Sequence, residues 1–87
     1  MEGVRLILTD GTIIENGSAG LAGVLMLFFP GYTMQEAAEI FLAPEKLTRI
    51  IFQASEDQRV YTGYTRCTSL SIDDEGEITV MLKKEVI

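Results

Sequence analysis

The chain contains no histidine and a single cysteine, Cys67, among its 87 residues. Histidine is the commonest general base near neutral pH and a ligand in most zinc sites, so its absence removes the usual forms of both kinds of site. One cysteine cannot form a disulfide within the chain. We therefore predict a protein that is not an enzyme and that has no catalytic, cofactor-binding or metal-binding residues.

Positive charge and long apolar segments are also scarce. The net charge is −6, with 7 Lys and Arg against 13 Asp and Glu, whereas affinity for nucleic acid requires clustered cations. The longest apolar run, residues 21–29, is roughly half of the ~20 residues that a membrane-spanning helix needs. The N-terminal residues lack the basic and apolar regions of a signal peptide. We expect a cytoplasmic protein that binds neither nucleic acid nor membrane.

The composition predicts one folded domain over residues 1–87. Apolar residues make up 47% of the chain and charged residues 23%, which is enough apolar content to form a core. A domain of this size buries only about 60–65% of the surface that its unfolded chain exposes. Without a disulfide or a structural zinc ion, packing and association are the remaining sources of stability.

Asp10-Gly11 is the clearest local pattern, because it lies between two segments rich in branched apolar residues. This dipeptide favours the positive φ angles of a type I′ hairpin turn. A two-residue turn would place apolar side chains on both faces of the hairpin, pairing Leu8 with Ile13 and Ile7 with Ile14. Such a hairpin should lie between two layers or against a partner.

The next segments predict a central strand followed by the only helix. The glycine-rich residues 16–20 are interpreted as a flexible connection, since no phosphate-binding motif follows them. Residues 24–29 are apolar at every position, which is typical of a central strand. Thr33 and Glu36 have the spacing of a capping box, and Pro44 limits the helix to about two and a half turns.

The second half of the chain predicts three more strands. They cover residues 47–54, 59–72 and 77–84, separated by polar turns, with Gly63 interpreted as a bulge or bend inside the longest strand. The predicted order is β-β-β-α-β-β-β. This order favours an α+β domain, in which a strongly bent antiparallel sheet or a small open barrel packs on one short helix.

Two polar features have structural explanations. The acidic residues 73–77 lack the residue order of a calcium loop and fit a solvated turn. Cys67 follows Arg66 in a predicted strand, so the two side chains point to opposite faces and the arginine is poorly placed to lower the thiol pKa. We interpret Cys67 as a structural thiol.

The strand around Tyr61 and Tyr64 is rich in aromatic and hydroxyl side chains. Such a surface could bind a sugar or a partner strand, although threonine and tyrosine are also common in half-exposed strands for their β-propensity alone. Together with the apolar hairpin, it defines a candidate interaction surface of four residues: Tyr61, Tyr64, Ile7 and Ile14.

Three segments carry a resemblance: "LTDGTIIENG", "FFPGYTMQEAAEIFLAPEKLTRIIF" and "YTGYTRCTSLSIDDEGEITVMLKK". Their layout resembles small uncharacterised proteins encoded by phages and prophages of Gram-positive bacteria, often near tail genes. The resemblance spans most of the chain and involves no chemical motif. It implies a non-enzymatic accessory or structural role in a virion or its assembly, and it assigns no functional residues.

The sequence thus favours a non-catalytic interaction protein that acts by surface burial, as a homo-oligomer or in a larger assembly. One short helix can cover only one side of a small sheet, so a closed barrel, a second copy or a partner protein must cover the other side. The alternative function is a small ligand-binding or regulatory module that uses the strand containing Tyr61 and Tyr64.

Overall fold

A computed structural model describes residues 4–85 of the chain. These residues form eight strands, one α-helix and a short 3₁₀ helix over Pro44–Lys46. The other elements are β1 (Arg5–Ile7), β2 (Ile13–Glu15), β3 (Ser18–Ala22), β4 (Val24–Phe29), α1 (Met34–Phe41), β5 (Arg49–Ala54), β6 (Asp57–Thr62), β7 (Arg66–Ile72) and β8 (Ile78–Lys83).

The strands form two antiparallel sheets, which we call sheet A and sheet B. Sheet A has the order β2-β1-β5-β6, and sheet B has the order β3-β4-β8-β7. A helix combined with antiparallel strands agrees with the α+β class. The predicted order β-β-β-α-β-β-β is wrong, because four strands precede α1 and four follow it. Within residues 4–85 the strands form two separate sheets, so the predicted single bent sheet or small open barrel is not confirmed, and the strands do not close into a barrel.

Gly63 explains how the chain passes from one sheet to the other. The long strand predicted over residues 59–72 is divided there, with φ of 83° at Gly63. Its N–H donates to the Thr48 carbonyl beside β5 (3.2 Å), and its carbonyl accepts from the Glu85 N–H beyond β8 (3.0 Å). The glycine therefore ends one strand and links the two sheets, while the β-bulge lies further on, between Cys67 and Ser69.

The first hairpin has a longer turn than the type I′ turn predicted. Leu8 N–H donates to the Thr12 carbonyl at 2.9 Å, which leaves three residues in the loop. Gly11 has φ of 91°, whereas among the described residues other than glycine only Asn16 has a positive φ. A three-residue loop with glycine in the left-handed region is a common hairpin connection.

The longer turn shifts the hairpin register by one residue from the prediction. Leu6 pairs with Ile14 and Ile7 pairs with Ile13. Since paired residues share a face, Leu6 and Ile14 both point into the core, and both are fully buried.

Strand β3 forms where a flexible connection was predicted over residues 16–20. It pairs with β4 over its whole length, from Ser18 opposite Phe28 to Ala22 opposite Val24. Alanine, glycine and serine have weak β-propensity. The strand is therefore formed by hydrogen bonding to β4 more than by its own sequence preference.

The predicted capping box is confirmed at the start of α1. The Thr33 hydroxyl accepts a hydrogen bond from the Glu36 N–H (3.1 Å), and the Glu36 carboxylate accepts one from the Thr33 N–H (2.9 Å).

One core cluster joins the inner faces of both sheets to the helix. Phe41 is buried, and its ring stacks on Phe29 with centroids 5.5 Å apart. Both sheets contribute fully buried side chains to this core. They are Leu6, Ile14 and Ile50 from sheet A, and Leu25, Leu27, Phe29, Ile78, Val80 and Leu82 from sheet B.

Candidate interaction surface

The outer face of sheet A carries an apolar row that crosses all four strands. The strand registers place four side chains in line: Ile13, Ile7, Ile51 and Val60. We call them the apolar row. Ile7 and Ile51 are half-buried at the centre, while the end residues Ile13 and Val60 are 46% and 51% exposed. An exposed row of this kind on a sheet face is a typical protein-binding feature.

The row lies on the outer face because of the alternation within each strand. Ile50 and Tyr61 pair with each other and point into the core. Their sequence neighbours Ile51 and Val60 must therefore point to the opposite side. Ile51 is half-buried for this reason and lies outside the buried core.

Polar side chains border the apolar row along the strands. Glu15, Arg5, Gln53 and Gln58 form the adjacent row on one side. Arg5, Gln53 and Gln58 also line an open groove of about 600 Å³, which residues 54–57 of the β5–β6 hairpin complete. The apolar row and this polar groove form one continuous surface on sheet A.

The four residues predicted as an interaction surface do not lie together. Ile7 is on the outer face of sheet A, but Ile14 is fully buried on the inner face. Tyr61 is 9% exposed and belongs to the core, and Tyr64 is half-buried. Ile14 and Tyr61 therefore offer almost no surface to a partner, because the one-residue register shift and the strand alternation turn them inward.

The rings of Tyr61 and Tyr64 are also in contact with neighbouring side chains. Their rings meet edge to face, with centroids 6.4 Å apart and an angle of 82° between the planes. The Lys84 Nζ lies 5.7 Å from the centre of the Tyr64 ring. These contacts leave little aromatic surface on which a sugar ring could stack.

Cys67 borders a small cleft between the end of α1 and β7. The cleft has a volume of about 250 Å³ and is lined by Phe41, Leu42, Pro44, Thr65, Arg66, Cys67 and Glu85. Burial raises the pKa of the Cys67 thiol, and its Sγ donates to the Ser69 carbonyl at 3.6 Å. A thiol with a raised pKa is a weak nucleophile at neutral pH.

The acidic loop before β8 is a turn organised by Asp73. Its Oδ1 accepts hydrogen bonds from the backbone N–H groups of Glu75 and Glu77, both at 2.9 Å. The carboxylate thus satisfies backbone donors of its own turn. Across residues 4–85, no three carboxylate or thiol groups are placed to bind one metal ion.

The outer face of sheet B is apolar at its centre but less exposed. Val24, Met26 and Phe28 of β4 and Met81 of β8 are all half-buried. None of these four reaches the exposure of Ile13 or Val60. Sheet A therefore presents the more accessible apolar face.

Ile51, Ile13 and Val60 were not predicted from the sequence to form a surface. A two-residue turn at Ser55-Glu56 would have predicted this row, because it pairs Ala54 with Asp57 and thereby places Ile51 opposite Val60. The sequence interpretation instead placed a four-residue turn between the two strands, which gives a different register.

Within residues 4–85, no helix is both long enough and apolar enough to cross a membrane. Comparisons with protein-family models, curated proteins and solved structures found no match to this chain.

Proposed function

We propose that this protein is a non-catalytic interaction protein that self-associates through the outer face of sheet A. The observation that carries the proposal is the apolar row, with Ile13 and Val60 about half exposed at its ends. Association removes these side chains from water, and burial of apolar area is favourable by roughly 25 cal/mol per Å².

A second copy of the chain fits this face by two-fold symmetry. Two sheets that pack face to face keep their strands within about 30° of each other. A two-fold axis parallel to the strands reverses the strand order, so Ile13 of one copy lies over Val60 of the other, and Ile7 lies over Ile51. The apolar row thus meets itself without a polar interruption.

The charges on sheet A are compatible with this arrangement. The same axis places Glu15 over Gln58 and Arg5 over Gln53 of the second copy, so no like charges meet in the bordering row. The acidic residues 73–77 lie in a loop of sheet B. Repulsion between subunits that each carry a net charge of −6 is reduced by salt.

Sedimentation velocity over a range of protein concentrations tests the proposal. A double variant, Ile13→Lys with Val60→Lys, introduces positive charges at the two exposed ends of the row and should abolish this contact. Leu42→Lys is the matched control, because Leu42 is 63% exposed and lines the cleft beside β7 of sheet B. Equal association of the wild type and the double variant, with both folded by circular dichroism, would contradict the proposal.

The resemblance to phage-encoded proteins extends the proposal to a biological setting. A self-associating small protein suits an accessory role in a virion or in its assembly, after synthesis in the cytoplasm. The flanking genes provide the test. Tail or capsid genes on both sides would support this role, and flanking metabolic genes would contradict it.

A further inference from the structure

The four edges of the two sheets differ in their protection against pairing with another chain. Exposed edges are normally kept short, charged or bulged. Strand β2 has 3 residues, β6 carries Asp57 and Arg59, and β7 carries Arg66 and the bulge between Cys67 and Ser69. Strand β3 has 5 residues with no charge and no proline, and it pairs with β4 without a register shift.

Leu21 shows that the open edge of β3 is also apolar. It lies in the same row as Leu25 and Leu82, which are both fully buried on the inner face of sheet B. Leu21 ends this row and is 53% exposed. Within residues 4–85, β4 is the only strand that pairs with β3.

We propose that β3 is a second contact, at which a second copy of the chain adds its own β3 in the antiparallel direction. The two-fold axis passes between the Gly20 residues of the two copies. This register pairs Leu21 with Ala19 of the second copy and Ser18 with Ala22. Two four-stranded sheets then become one continuous sheet of eight strands.

The side chains of β3 favour a second copy as the occupant. Paired residues in a sheet share a face, so Leu21 and Ala19 of the second copy both lie on the inner face. The buried row that ends at Leu21 is continued in the second copy by Ala19 and Leu27. The two-fold axis creates two such pairs, each of the large Leu21 side chain with the small Ala19 side chain of the other copy. No charged residue lies in either strand.

The contact at β3 is independent of the one at the apolar row. The two lie on different sheets. One chain that uses two separate two-fold contacts forms assemblies larger than a dimer.

Disulfide cross-linking tests the register directly. Gly20→Cys in a Cys67→Ser background places two thiols across the axis, where paired Cα atoms are about 4.5–5.5 Å apart, within the ~4.4–6.8 Å that a disulfide spans. A Cβ atom at Gly20 has no neighbour within 4 Å, so the strand tolerates the substitution. Mild oxidation should convert most of the variant to a covalent dimer.

Ala22→Cys in the same background is the matched control. In the proposed register the two residues at position 22 are about 14 Å apart, because they are offset by four residues along strands that lie about 4.8 Å apart. This variant should remain uncross-linked. Cross-linking of both variants to the same extent, or of neither, would overturn the proposal.

A second measurement separates this contact from the one on sheet A. Leu21→Lys should raise the dissociation constant of the β3 contact by about tenfold or more, since a charge is a natural means of blocking an edge. With both contacts present, Leu21→Lys alone and the Ile13→Lys, Val60→Lys double variant each leave a dimer, and all three changes together leave a monomer.

The oligomeric state of each variant then identifies which proposal fails. If only the β3 contact exists, Leu21→Lys is monomeric and the double variant still forms the dimer of the wild type. If Leu21→Lys associates as strongly as the wild type, the β3 contact does not exist. If the wild type is monomeric and Gly20→Cys in the Cys67→Ser background does not cross-link, both contacts are excluded, and any partner at β3 is a different protein.

Discussion

Gly17 lies directly against the side chain of Leu6. A Cβ atom at Gly17 would lie 2.8 Å from Cδ1 and 2.9 Å from Cγ of Leu6. Leu6 is fully buried in sheet A, and Gly17 connects β2 of sheet A to β3 of sheet B. The close approach therefore occurs where the chain passes from one sheet to the other.

Gly17→Ala should destabilise the protein by about 1–3 kcal/mol, the usual cost of overpacking a core. Leu6 cannot move away easily, because its side chain is enclosed by the core. Unfolding in urea measures the change. Gly20→Ala is the control, since nothing lies within 4 Å of a Cβ atom there. Equal stabilities for the two variants would show that the core near Leu6 adjusts.

Gly11→Val should destabilise the protein by about 1–2 kcal/mol. Gly11 has φ of 91° and an open space around its Cβ position, so the cost comes from the backbone alone. The turn is not type I′, but it still requires this positive φ. Thermal unfolding, compared with Gly11→Asn, measures the effect, because asparagine adopts a positive φ more readily than valine. An unchanged melting temperature would mean that the loop adopts another conformation.

Phe41→Ala should destabilise the protein by about 3–5 kcal/mol. The Phe41 side chain is buried and stacks on Phe29, so its removal leaves a cavity beneath α1. Domains of this kind have total stabilities of about 5–15 kcal/mol, and the variant should be close to unfolding.

Leu42→Ala provides the comparison at the next position. Leu42 is mostly exposed, so the change should stay within about 0.5 kcal/mol. Circular dichroism in urea measures both variants. Similar stabilities for the two would contradict the packing of α1 on the sheets.

Asp10 should make the first turn sensitive to acid. Its Oδ1 accepts a hydrogen bond from the Thr12 N–H at 3.0 Å, and this bond lowers the pKa of the carboxyl below the ordinary 3.8. A lowered pKa in the folded state means that the stabilisation is complete above pH 3.8 and is lost as the pH falls through the lower, folded-state value.

The comparison of the wild type with Asp10→Ala measures this contribution. The difference in melting temperature should be constant from pH 7 to about pH 5 and should shrink towards about pH 2. A difference that does not change with pH would show that the carboxylate charge plays no part in the turn.

Self-association should persist or strengthen at high salt. Subunits that each carry a net charge of −6 repel one another, and the screening length falls from about 30 Å at 0.01 M to about 3 Å at 1 M salt. Contacts made by apolar side chains are not weakened by screening. Sedimentation velocity at both salt concentrations measures the effect, and dissociation at high salt would indicate contacts made by ion pairs.

Local patterns in the sequence predicted several elements correctly. The spacing of Thr33 and Glu36 predicted the start of α1, the alternation over residues 77–84 predicted β8, and the apolar residues 24–29 predicted β4 as a central strand. Each pattern depends on neighbours in the chain, such as hydrogen bonds within one helical turn or the two-residue period of a strand.

Local sequence patterns could not predict the strand registers or the division of the strands into two sheets. The Asp10-Gly11 pattern fits loops of two or three residues, and the choice reverses which isoleucines are buried. Gly63 fits both a bulge and a strand end. The apolar row arises only after both ambiguities are settled, since it combines residues from four strands that are up to 53 positions apart in sequence.

The sequence by itself determined the acidic composition without histidine, the antiparallel strands and the capped start of α1, because composition and local periodicity govern those properties. Only the tertiary structure decided that the strands of residues 4–85 form two sheets, that Ile14 and Tyr61 face the core, and that Ile13 and Val60 face the solvent. Those outcomes depend on which strands pair and in which register. The pairing energy between strands that are distant in the sequence cannot be predicted from a local pattern.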